Sequence, residues 1–283
     1  MKPTTKRIFV ENNYFQRVEV LKRNREKRNK YRQFFVEGVK AIDFALQYNW
    51  PIRWFVYSRE KPLSAWAEEV LATSRAELHL ELPYRLMAKL SEKEEETSEL
   101  IAVVDMVEKD LSHLEIKGDL LVVIFDRPSS HGNLGTLIRS CEALKVDALL
   151  ITGHGVDLYD PKTIRASMGT FFAVPIFRLP SHHEVRPWLE RVRQKLPAFQ
   201  VVGSTAHAEL LVDEADFTKP TALLVGNETH GLSKNYKDLC ASFGTLVQIP
   251  MYGESTSFNV SCAASIILYE IDRQRRRSGR HCR

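Results

Sequence analysis

The 283-residue sequence predicts an α/β protein in two parts: a small N-terminal α/β unit and a larger C-terminal domain on a mainly parallel sheet. Three observations carry this expectation. Beyond residue 118, short continuous apolar runs (LLVVIF, ALLIT, FQVVGS, ALLVG) alternate with helical stretches, as strands buried on both faces do. A polar stretch, EKDLSHLEIKGD at 108–119, separates that pattern from the chain before it. No run approaches the roughly 20 apolar residues needed to span a bilayer.

In chain order, residues 12–108 open with a basic helix. FFVEGVKAIDFALQYNW follows, with Phe35, Val39, Ile42 and Leu46 at helical spacing, and reads as a second helix. IRWFVYS reads as a strand closed by turn formers near Pro62, SAWAEEVLATS as a helix and ELHLEL as a short strand. LPYRLMAKLSE then reads as a helix and LIAVVDMV as a closing strand, with the acidic tract 92–97 as an exposed loop between them. In the C-terminal part, LLVVIF leads through a loop into a helix containing LIRSCEAL. ALLIT, FAVPIF, FQVVGS, ALLVG and TLVQIP supply further buried strands. In such sheets ligands bind in the loops beyond the carboxyl ends of the strands.

The net charge of +4 is unevenly placed. Residues 1–40 hold twelve Lys/Arg against four Asp/Glu, and residues 273–283 hold six Arg and no acid, so the body between is acidic. Two basic ends point to a polyanionic partner. The densest stretch, 17–32, contains Lys22, Arg23, Arg25, Lys27, Arg28, Lys30 and Arg32, with Tyr31 and Phe34 close by. Its two acids are too few for regular intrahelical pairing, which favours RNA or DNA over a merely solvated helix face. Arg165, in PKTIRASMG, is a further candidate RNA contact.

Cys141, Cys240, Cys262 and Cys282 are dispersed, without a C-x-x-C pair or a histidine at finger spacing, so neither a zinc site nor a disulfide framework is expected. The N-terminal MKPTTKRIFVENNYF is basic but has no apolar signal-peptide core, which predicts a cytoplasmic protein.

Three polar loops at strand ends are candidate sites. In DRPSSHGNLGTLIRS, Asn133 and Gly135 stand at a helix mouth with Arg139 about one turn in; the plain alternative is Asn133 as a helix cap. In TALLVGNETHGLS the glycine spacing approaches a phosphate loop, but Leu232 replaces the lysine that neutralises the phosphates and Glu228 adds a negative charge. That loop suits a cationic or hydroxyl-bearing ligand better. In IPMYGESTSFNVSCAASIILYE, Ser257 and Asn259 introduce a helix whose Val260, Ala264, Ile267 and Ile271 form a core face. ITGHGVDLYD has only a lone G-x-G and reads as a turn.

Together NLGTLIRS, LLVGNETHGLS and IPMYGESTSFNVSCAASIILYE resemble, in order and spacing, the motifs of the SpoU/TrmH branch of the SPOUT RNA methyltransferases. LKRNREKRNKYRQFFVEG resembles the family's N-terminal substrate-binding domain, which is similar to small ribosomal RNA-binding proteins. Phe258 departs from the family's usual Leu. The resemblance implies an RNA substrate-binding domain at 12–108, a SPOUT methyltransferase domain with a deep trefoil knot at 118–274, and a basic tail at 275–283. It implies an S-adenosylmethionine-dependent RNA 2′-O-ribose methyltransferase that forms a homodimer and needs no metal. Ribosomal RNA, 23S in particular, is favoured by the N-terminal domain. A transfer RNA substrate, or a non-catalytic RNA-binding protein on the same fold, are the alternatives. By matching position the cofactor would be held by Leu224, Gly226, Asn227, Glu228, Ile249, Met251 and Phe258, and the catalytic set would be Asn133, Arg139, Glu228, Ser257 and Asn259.

Overall fold

Alternating burial and capping residues set the elements of this computed structural model, which describes residues 3–92 and 97–279. The chain divides into two units, residues 1–108 with 157–173, and residues 109–156 with 174–283.

The first unit runs β1 (Thr4–Arg7), α1 (Asn13–Arg23), α2 (Arg25–Tyr31), β2 (Gln33–Glu37), α3 (Val39–Gln47), β3 (Ile52–Tyr57), α4 (Ala65–Thr73), β4 (Leu78–Glu81), α5 (Tyr84–Leu90) and β5 (Leu100–Asp105). Its sheet has the order β1-β4-β3-β5-β2, parallel from β1 to β3 and antiparallel thereafter. Asn12 caps α1 by accepting from Tyr14 and Phe15 N–H, and Asn24 caps α2 by accepting from Lys27 N–H. The helix expected across FFVEGVKAIDF is a strand and a helix: Phe35 lies in β2, and Gly38 at φ +102° turns the chain into α3. Alternation across the strand sends Phe34 and Phe35 to opposite faces. Phe35 joins Phe15, Val18 and Leu21 of α1 in one core. Phe34 meets Trp50, Tyr159, Phe171 and Phe172 in a ring cluster on the other.

Residues 157–173 therefore belong to the first unit, although the second half of the chain carries them. They contain α7 (Pro161–Ala166) and a 3-10 turn at Thr170–Phe172. Arg28 fastens them. Its Nε donates to Asp157 at 2.8 Å, one Nη to Asp160 at 2.9 Å, and the other to the Leu21 and Lys22 carbonyls at 2.8 and 3.2 Å. Lys22 Nζ donates to the Lys89 and Leu90 carbonyls, and burial pulls its pKa below the usual lysine value. Lys22 and Arg28 thus depart from the RNA-contact expectation: both are buried and satisfied inside the unit.

The second unit contains β6 (Leu121–Asp126), α6 (His131–Ala143), β7 (Ala148–Thr152), β8 (Ile176–Leu179), α8 (Val185–Lys195), β9 (Gln200–Ser204), β10 (Leu210–Leu211), β11 (Thr221–Val225), α9 (Lys234–Phe243), β12 (Gly244–Gln248) and α10 (Val260–Arg277). Its seven strands run β10-β12-β9-β11-β6-β7-β8, every pairing parallel. The strand expected at FAVPIF is shorter, because Phe171 and Phe172 are drawn into the ring cluster and pairing begins only after Pro175. The expected basic tail begins inside α10. Arg275 is buried and donates to the carbonyls of Asp119, Leu120, Phe217 and Lys219, while Arg273 pairs with Glu270 and Arg276 with Asp272. Cys282 and most of the acidic tract lie outside the described residues. Among the described residues no helix is long and apolar enough to cross a membrane.

Candidate functional site

Parallel pairing puts the carboxyl ends of β6, β9, β11 and β12 on one edge of the sheet, and the loops that follow them gather there. The loop after β11 is a tight fold-back. Asn227 and Gly231 exchange both backbone hydrogen bonds, at 3.0 and 2.9 Å, and Asn227 Oδ1 accepts from Thr229 and His230 N–H. A Cβ on Gly226 would lie 2.3 Å from the Gly231 carbonyl carbon, so only glycine fits there, and Gly231 itself sits at φ +63°. Leu232, in the place of a phosphate-loop lysine, is a core residue at 5% exposure. The glycine spacing serves the fold-back.

Glu228 ties this loop to the start of α6. Its carboxylate accepts from Ser129 N–H at 2.8 Å, Ser129 Oγ at 2.7 Å, Ser130 N–H at 3.0 Å and Asn133 Nδ2 at 3.3 Å. Burial pushes its pKa up most strongly, but the bonds from Ser129 and Asn133 outweigh that and hold it below the ordinary carboxylate value. Its contribution to stability is therefore present above the unfolded pKa and lost as pH falls through the depressed one. Ser130, rather than Asn133, caps α6, accepting from Asn133 N–H. Asn133 is turned inward by Asn259, whose Nδ2 donates to Asn133 Oδ1 at 3.0 Å while its own Oδ1 caps α10. The seam continues between the helices at Ser140 and Ser265, whose hydroxyls are 2.7 Å apart.

A cavity of about 390 Å³ opens beside this network. Gly226, Asn227, Glu228, Ile249, Met251, Ser257 and Phe258 are among the residues that line it. Leu224 does not line it; its side chain is fully buried in the sheet core beneath. Asn133, Asn259 and Arg139 stand outside that lining. Arg139 is exposed on α6, on a ridge with Gly132 and Thr136, and no protein group pairs with it among the described residues. Glu228 accepts from Ser129, Ser130 and Asn133, so it braces the site while its carboxylate remains in the cavity lining.

Two walls had no motif behind them. Ser204–His207 follow β9, and Lys237 rises from α9. FQVVGS reads as a buried strand, so the loop after it follows from the rule that ligands meet strand carboxyl ends. Lys237 has no sequence signal. In the first unit, Arg25 and Lys30 are exposed and Lys27 is half-buried. Arg23 approaches Glu19 at 3.8 Å, Arg32 pairs with Glu108 at 2.6 Å, and Arg165 pairs with Glu92. No cluster of His, Cys, Asp or Glu among the described residues fits a metal ion.

Comparison with known proteins agrees with this arrangement. The SpoU rRNA Methylase family matches residues 120–269, and the SpoU L30e-like domain matches residues 12–102. A 23S rRNA (uridine(2479)-2′-O)-methyltransferase of Streptomyces viridochromogenes is 43% identical over 273 residues, covering 96% of this chain and 94% of that protein. The crystal structure of the SpoU methyltransferase AviRb from the same organism, in complex with the cofactor AdoMet, superposes with a TM-score of 0.85 at 42% identity, over 94% of this chain and 100% of that one. An AdoMet-bound rRNA methyltransferase from Sinorhizobium meliloti superposes at 0.83 with 27% identity, over 95% and 98%.

Proposed function

The chain belongs to the SpoU rRNA methylase family, and from that premise we propose that it methylates a ribose 2′-hydroxyl of 23S ribosomal RNA with S-adenosylmethionine. The observation that carries the proposal is the meeting of the loop after β11 and the loop after β12 in one cavity, with Glu228, Asn133 and Asn259 bonded in series beside it.

The residues present fit the cofactor. The cavity lies in the size range of cofactor sites, roughly 300–1,000 Å³. Ile249, Met251 and Phe258 offer apolar faces to a flat heterocycle, and Gly226 and Asn227 line the cavity beside them. When bound, S-adenosylmethionine supplies a methyl group on a sulfonium, already a strong electrophile. The chain's task is then mainly alignment. Arg139, unpaired among the described residues, holds a phosphate of the RNA and stabilises the developing 2′-oxyanion. It does not take the hydroxyl proton, since a guanidinium presents only N–H donors and has no acceptor for it. Asn259 fixes Asn133 and with it the helix that carries Arg139, Glu228 fixes the loop after β11, and Ser257 lines the cavity beside Phe258.

Exposed Arg23, Arg25 and Lys30 of the first unit supply the electrostatic part of RNA binding. A homodimer is part of the proposal, supported by the exposed face of α10 at Cys262, Ile266 and Tyr269. So is the trefoil knot, which membership of the family implies. A cytoplasmic location fits a ribosomal RNA substrate.

The test is transfer of labelled methyl from S-adenosylmethionine to 23S rRNA or to tRNA, followed by alkaline hydrolysis. Label in 23S rRNA, retained in an alkali-resistant dinucleotide, is expected, because cleavage needs a free 2′-hydroxyl. Label in tRNA alone would move the substrate, and alkali-sensitive label would make the product a base methylation.

A further inference from the structure

Two ionised side chains line the cavity among the described residues, and they differ in what they have left to offer. Glu228 is fully engaged with Ser129, Ser130 and Asn133. Lys237 is exposed at the cavity wall, and no protein acid or acceptor pairs with its ammonium among the described residues. The neighbouring histidine His230 is held through Nδ1 by Asn227 Oδ1 at 3.0 Å.

The placement of Lys237 is also locally unfavourable. α9 opens with Lys234 and Lys237 and has no acid in its first turn, although a helix N-terminus repels cations. Lys237 donates its backbone N–H to the Ser233 carbonyl, so its Cα is fixed by the helix while the long side chain reaches to the cavity. The fold thus holds an unpaired ammonium on a helical base, beside a cavity whose one carboxylate among the described residues is engaged by Ser129, Ser130 and Asn133. An anionic group on the occupant is the natural partner.

We propose that Lys237 binds the carboxylate of the S-adenosylmethionine amino-acid moiety and so makes the site selective for cofactors that carry it. This rests on the assignment of the cavity to that cofactor. The ion pair forms at a partly enclosed wall, where a charge-assisted hydrogen bond exceeds its value in open water. Thr205 and His207, on the loop after β9, face the same cavity and keep the amino-acid end within reach of Lys237.

Calorimetric titration of the full chain with S-adenosylmethionine and with its decarboxylated analogue tests this without any RNA. The wild-type protein is expected to bind S-adenosylmethionine roughly five- to tenfold tighter than the analogue. Lys237→Ala should weaken S-adenosylmethionine by that factor and leave the analogue unchanged, so that the preference disappears. Lys237→Arg should keep most of it. Equal binding of both ligands by the wild type, or equal weakening of both by Lys237→Ala, overturns the proposal. Failure of the wild type to bind either ligand would instead overturn the assignment of the cavity. Lys237 is exposed, so the variant keeps the fold, and its circular dichroism and melting point should match the wild type.

Discussion

Arg139→Ala is expected to lower methyl transfer by about 10²–10³-fold while leaving S-adenosylmethionine affinity within about threefold. The split follows from position. Arg139 lies on the exposed ridge of α6, outside the lining of the cavity, with no protein partner among the described residues. An arginine unpaired among the described residues, six residues beyond Asn133 on the same helix, is free to meet an RNA phosphate, and Asn133 is itself pinned by Glu228 and Asn259. Arg139→Lys should recover only part of the rate, since an ammonium is a point charge and lacks the two-pronged donor geometry of guanidinium. Near-normal turnover of the alanine variant on 23S rRNA would remove Arg139 from the reaction. A loss of cofactor affinity equal to the loss of rate would move it into the cofactor site.

Arg28→Ala is expected to destabilise the first unit by about 3–5 kcal/mol, the cost of stranding a buried charge. The Arg28 and Asp157 side chains are 2% and 4% exposed, and Asp160 accepts from the same guanidinium at 19% exposure. Removing the arginine leaves the Asp157 carboxylate without its cation and two carbonyls, of Leu21 and Lys22, without their donor. The segment 157–173 would lose its buried ion pairs and depend on the ring cluster of Phe34, Trp50, Tyr159 and Phe171, the Trp50 Nε1 bond to the Phe172 carbonyl and the exposed Arg165–Glu92 pair. Adding Asp157→Asn should restore part of the loss, because it removes the stranded charge. Denaturant melts of both variants measure this. A single variant as stable as the wild type would mean that Arg28 contributes no more than a surface residue.

The two predictions also mark what a linear sequence conveys. The strands of the second unit were legible because a fully parallel sheet buries both faces, so LLVVIF, ALLIT, FQVVGS and ALLVG stand out as uninterrupted apolar runs. The site loops were legible because Gly226 and Gly231 answer a backbone requirement that other residues cannot meet. The stretch across Phe35 to Leu46 was misleading, since its apolar spacing satisfies a helix while Gly38 divides it into strand and helix. Charge was the least legible property. Lys22, Arg28 and Arg275 look like surface cations in a basic tract, yet each is buried on carbonyls or carboxylates that lie far away in the chain. The same distance hides the return of residues 157–173 to the first unit and the reach of Lys237 to the cavity.

The central claim is ribose methylation of 23S ribosomal RNA, and the most direct measurement is a transcriptome-wide map of alkali-resistant linkages in total RNA with and without the gene. The expected result is one or a few 2′-O-methylated positions in 23S rRNA that vanish without the gene and return with the wild-type chain but not with Arg139→Ala. An unchanged 23S map, with the lost mark in another RNA or none lost at all, would contradict it.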